Sequence, residues 1–183
     1  MHSRATALLL VTAVVAAVAC GDDTAPRSNV VHLTAALTTG GEIGANLQGN
    51  VASSTGSFDG HLDTVTNVFT YTVQYSGLSS NVTLGHIHGP FTVGQTTGNT
   101  AGVILNFDPT ANNTPLPTTA VFVKGATSGN AAGQVTLTSA VNISTSVNGD
   151  SLKKLLLAGK TYANIHTQSN GGGEVRGQIT VVP

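Results

Sequence analysis

Two short segments hold the residues best suited to chemistry: Gly85-His86-Ile87-His88-Gly89-Pro90, and Asn164-Ile165-His166-Thr167. In a β-strand, residues two apart point to the same side, so His86 and His88 would project together. If the segment carrying His166 is a neighbouring strand, three imidazoles converge on one face. Neutral imidazole is the commonest side-chain metal ligand, and three with an open position suit copper or zinc. Glu174 follows in the chain, with Arg176 two residues further on. Glu174 is expected to orient a histidine as an acceptor behind the ligand set, with direct ligation as the alternative. The same residues read equally well as a partly buried polar network, tied by charge-assisted hydrogen bonds and needing no metal. Both readings stand at this level. His32 and His61 read as surface or rim residues, and His2 lies in the leading segment.

Other chemistry finds little footing. There is no Gly-x-Ser-x-Gly elbow for a serine nucleophile. Asp59 and Asp63 flank His61, and Asp108 precedes Pro109, but no carboxylate pair is spaced for acid–base work. Gly171-Gly172-Gly173 lacks the helix and lysine that a phosphate-binding loop requires. The expectation is a non-enzymatic binding module with His86, His88 and His166 as candidate ligands. The alternative is a copper- or zinc-dependent redox protein using the same three residues.

What must position these residues is a β framework. The alternation in Val68 to Tyr75 puts Phe69, Tyr71, Val73 and Tyr75 on one face, the expected core face. Further strands are expected over 31–37, 56–63, 82–88, 101–107, 120–124, 132–138, 161–167 and 174–181, about eight or nine in all. Asn67 supplies the turn residue between the second and third. Residues 89–100 read as a polar loop and 139–149 as an inserted one. A single short helix is expected, capped by Asp150 or Ser151, striped by Leu152, Leu155 and Leu156, and ended by Gly159.

The leading residues read as an export signal. Arg4 is followed by an apolar run from Leu8 to Val18, shorter than the ~18 residues or more of a membrane-spanning helix. Ala17-Val18-Ala19-Cys20 resembles a bacterial lipobox, with Cys20 lipidated and residues 1–19 removed. An ordinary signal cleaved after a small residue is the alternative. Cys20 is the only cysteine of the 183-residue chain, so no intramolecular disulfide is available. Residues 20–29 then form a flexible linker and 30–183 one domain. The expected location is the cell envelope, periplasmic or at the surface. The expected partners are the membrane, through the lipid, and an extracellular or periplasmic macromolecule. Charged residues make up only 8% of the chain and the formal net charge is −1, which gives no electrostatic footprint for nucleic acid.

Taken in order, these segments resemble the CHRD (chordin) domain. The resemblance runs through His32-Leu33-Thr34-Ala35-Ala36-Leu37 with Glu42, then Thr70 to Ser79, then Gly85 to Pro90, then Ala101-Gly102-Val103. It ends in Leu155 to Thr167 and Gly172 to Ile179, so it spans 31–182. It implies an all-β, immunoglobulin-like antiparallel sandwich or barrel with one short helix, and it implies little chemistry. Ile43-Gly44-Ala45-Asn46 replaces a run that is often proline-rich in the family. The growth-factor binding of animal chordin has no context here and is not carried over. A His-x-His strand, a later histidine and a nearby arginine also make the arrangement similar to copper-zinc superoxide dismutase. The bridging histidine, the zinc-site histidine–aspartate set and the cysteine pair of that enzyme are not recognisable.

Overall fold

A computed structural model describes residues 29–91, 101–108, 119–139 and 147–183. Nine antiparallel strands follow one another: β1 (Val30–Thr38), β2 (Thr55–Asp63), β3 (Val68–Ser76), β4 (Val82–His88), β5 (Val103–Asn106), β6 (Thr119–Phe122), β7 (Gly129–Thr136), β8 (Thr161–Thr167) and β9 (Val175–Val181). A single helix, α1 (Gly149–Leu157), precedes β8. The strands form one sheet in the order β5-β4-β8-β9-β1-β2-β3-β7-β6. The sheet curls until the segment after β6 meets β4: Val82 N–H donates to the Ala126 carbonyl and Gly125 N–H to the Val82 carbonyl. The architecture is all-β and sandwich- or barrel-like.

The period-two pattern decides which face is apolar. Leu33, Ala35 and Leu37 of β1 line up with Phe58 and Leu62 of β2 and with Phe69, Tyr71, Val73 and Tyr75 of β3; all are buried. Tyr71 packs on Phe107, ring centroids 5.2 Å apart, which joins the two sides of the curl. Glycines face the core where rings need the space. A Cβ at Gly85 would lie 2.8 Å from Phe107 and 2.9 Å from Ile165, so the residue before His86 must stay small for β4 to approach.

Several boundaries differ from the sequence expectation. β7 starts at Gly129, because Gly129 and Asn130 are held in register opposite Tyr75 and Gln74 despite their poor strand propensity. β5 is shorter than expected, and the ladder shifts register between Ile87 and His88. The helix begins earlier: Asn148, extended at φ −90° and ψ 174°, accepts the Ser151 N–H on its side chain at 2.9 Å, so Asn148 rather than Asp150 or Ser151 is the cap. Leu152 and Leu156 are fully buried, and Gly159, at φ +63°, ends the helix as expected. Lys153 on α1 donates to Asn67 Oδ1 at 2.6 Å and to the Thr64 carbonyl, pinning the β2–β3 turn. Residues 1–28, including Cys20, and most of the two expected loops lie outside the described residues. Among the described residues, no helix is long and apolar enough to cross a membrane.

Gly85→Ala should cost about 1–3 kcal/mol through overpacking against the buried Phe107 ring. Gly102→Ala, where a Cβ meets nothing within 4 Å, should stay within about 0.5 kcal/mol of the parent. Paired urea titrations would read the difference.

Candidate metal centre

β8 is buried along its whole length, on both faces. Ala163 and Ile165 belong to the apolar core. Tyr162, Asn164 and His166 take the other face by alternation, and register places His88 of β4 opposite Tyr162 and His86 opposite Asn164. Arg176 of β9 lies opposite Asn164 from the other side. The strands therefore bring together the three histidines whose spacing suggested it. One ligand nitrogen from each lies within 4.8 Å of the others, and all three side chains are buried.

Hydrogen bonds set the tautomers. His88 Nδ1 lies 2.8 Å from the Ala101 carbonyl and His166 Nδ1 lies 3.0 Å from the Gly171 carbonyl. A carbonyl only accepts, so both Nδ1 atoms carry the proton and both Nε2 atoms keep a bare lone pair. His88 Nε2 is buried with no hydrogen-bond partner among the described residues. His86 Nδ1 sits 3.1 Å from His166 Nε2 and donates to it. With that one proton moved to His86 Nε2, the trio would offer three nitrogen donors around a common point.

Burial favours the neutral rings. It pushes His86 down to about 3, with His166 and His88 adding to the effect. It pushes His88 down to about 4, against the opposing effect of the Ala101 carbonyl, and it lowers His166 as well. Beside them, the Tyr162 ring stacks on His88 with centroids 4.7 Å apart and an interplanar angle of 6°. Arg176 lies over Tyr162 at 3.4 Å from the ring centroid, so a cation caps the stack.

Glu174, expected beside a histidine or paired with Arg176, is committed elsewhere. Its carboxylate accepts from Ser54 Oγ, from Ser79 N–H and Oγ, from Thr167 Oγ1 and from Asn170 Nδ2, at 2.6–2.9 Å. Gly173, at φ +125°, breaks the strand course just before it. Desolvation works to raise the Glu174 carboxyl, but the hydrogen bonds outweigh it and hold the group at about 2. The acceptor role behind the histidines falls to the Ala101 and Gly171 carbonyls. Arg176's carboxylate neighbour is Glu42, which the sequence reading used only as part of a motif. Burial pushes Glu42 up to about 7, against Arg176 and a hydrogen bond from Asn164. Glu42 Oε1 and Asn164 Oδ1 are both buried acceptors without a partner among the described residues. A Cβ at Gly173 would lie 2.5 Å from Glu42 Oε1, so these groups leave room for glycine alone. The period-two run Tyr162-x-Asn164-x-His166 was the available signal for this polar face.

A family model described as the CHRD domain matches residues 33–179, from β1 to β9. The chain belongs to the CHRD domain family. No curated protein and no solved structure matches it significantly. The match takes in part or all of every strand of the described sheet, and both histidine segments lie within the matched residues.

The titrations act with opposite signs. His86 and His88, depressed on folding, stabilise the fold above about 6.5 and lose that contribution as pH falls through 4 and 3. Glu174 adds a loss below about 4.5, continuing to about 2. Glu42, raised on folding, stabilises below about 4.5 and loses its contribution as pH rises through 7. Glu42→Gln should therefore raise the melting temperature at pH 8.5 relative to the parent, with the gain vanishing by pH 4.5. Glu174→Ala should lower it at both, by about 3 kcal/mol or more in equilibrium denaturation, since buried donors lose their partner.

Proposed function

We propose that this protein is a lipid-anchored envelope protein whose CHRD domain binds copper or zinc non-enzymatically through His86, His88 and His166. One observation carries the metal reading: the three imidazoles converge, and backbone carbonyls hold two of them in the tautomer that turns a bare Nε2 inward. The orphaned His88 Nε2 fits this donor set, because a buried ring nitrogen without a partner is costly unless something fills the place. Three neutral nitrogens suit a borderline cation and leave a coordination position open. The anchor rests on Ala17-Val18-Ala19-Cys20 and the apolar run before it, and the polar residues after Cys20 serve as a tether.

Purified without a histidine tag and stripped of metal, the protein should take up one equivalent of zinc or copper(I) at the buried trio. At a hundredfold excess over Kd, bound metal adds about 2.7 kcal/mol of stability. His88→Ala should abolish that gain. A His88→Ala protein that keeps the full metal-dependent gain, or a parent with none, would sink the reading in favour of a metal-free polar network. Superoxide removal by the copper-loaded protein, lost in His88→Ala, would instead establish the redox alternative. Cys20→Ser should end incorporation of labelled fatty acid and release the protein from membranes.

A further inference from the structure

We propose that His32, Asp59 and His61 form a second divalent-metal site, exposed on the β1–β2 hairpin and sharing no residue with the buried trio. It rests on its own observations and stands whether or not the trio binds metal.

The sheet register generates the cluster. His32 of β1 is the cross-strand partner of His61 of β2, so the two side chains leave the same face from adjacent strands. Asp59 precedes His61 by two residues and therefore shares its face. Core residues Leu33, Phe58 and Leu62 alternate with these three, which places them on the solvent side. The two imidazoles stack with centroids 4.8 Å apart and an interplanar angle of 15°. The Asp59 carboxylate reaches both, with Oδ2 at 2.6 Å from His32 Nε2 and Oδ1 at 3.3 Å from His61 Nδ1. One ligand atom from each residue lies within 4.8 Å of the others.

Two imidazoles and a carboxylate are a donor set for zinc or copper(II). Zinc–nitrogen and zinc–oxygen bonds of about 2.0–2.2 Å put tetrahedral ligand atoms about 3.4 Å apart. Ligand atoms that lie within 4.8 Å of one another need to close by no more than about 1.4 Å, within reach of side chains that are roughly half exposed. Coordination at His32 Nε2 displaces the proton shared with Asp59, which the neutral ring takes up on Nδ1; protons compete with the metal for these nitrogens, so binding weakens on acidification. The carboxylate supplies the negative charge that the buried trio lacks, which favours a divalent over a monovalent cation. Exposure leaves solvent on the open coordination positions and lets the ion exchange freely.

The test is a zinc titration of the full chain, in detergent and without a histidine tag. Imidazole carbon–proton resonances and a competing chromophoric chelator would be followed together. The His32 and His61 resonances should shift together and saturate at one equivalent for this site. His61→Ala should weaken that binding at least tenfold, and Asp59→Asn should weaken it severalfold. Circular dichroism melts of the metal-free variants should stay near the parent, because these side chains lie on the surface. The proposal is overturned if the His32 and His61 resonances stay still while zinc is taken up elsewhere. It is equally overturned if His61→Ala leaves every zinc affinity within twofold of the parent. Failure of the buried trio shows separately, as absence of shifts at His86, His88 and His166.

Discussion

Burial of β8 on both faces is the constraint from which the rest of the site follows. A strand enclosed on one side by an aliphatic core and on the other by protein must satisfy every polar side chain internally. On its second face it carries Tyr162, Asn164 and His166, and the pairing with β4 adds His86 and His88. The neighbours answer that demand in three ways. Backbone carbonyls accept from His88 and His166, an arginine covers the tyrosine ring, and Glu42 meets Asn164. What these contacts leave unmet among the described residues, the His88 Nε2 lone pair above all, is the acceptor that the proposed cation would fill.

Glu174 contributes to the same end without touching a histidine. Its carboxylate gathers Ser54 ahead of β2, Ser79 ahead of β4, Thr167 at the end of β8 and Asn170 in the β8–β9 turn. Asn170 in turn holds Gln48 through both its N–H and its carbonyl, and its own carbonyl accepts from Thr167 and Gly173. The turn so fixed presents the Gly171 carbonyl to His166 Nδ1. A buried carboxylate thus sets the tautomer of a candidate ligand through the backbone of a turn.

Much of this was legible from spacing alone. The alternation in β3, the His86–His88 pair and the exact reach of β8 all follow from a period of two, which the sequence displays openly. The meeting of His166 with that pair needed β4 and β8 to be neighbours, a condition that spacing left open and the ladder supplies. Glu42 and Glu174 were not legible in the same way. Whether a carboxylate near a strand end turns toward a histidine or toward hydroxyls depends on the strand course, and Gly173 diverts it. His32 and His61, read singly as surface residues, form a pair only once β1 and β2 are in register. Capping type alone does not single out Asn148, because Asp150 and Ser151 are equally good capping types two and three residues later.

The place of β1 in the strand order has a mechanical side. It is the first described strand in the chain and the fifth of nine across the sheet, with β9 on one flank and β2 on the other. With the proposed anchor at Cys20, tension would enter the domain at Val30 and run along a central strand rather than peel an edge. The load is carried in shear by two ladders at once, nine residue pairs deep against β2. Hung from a membrane as proposed, a domain entered by such a strand would resist being drawn open by its own tether.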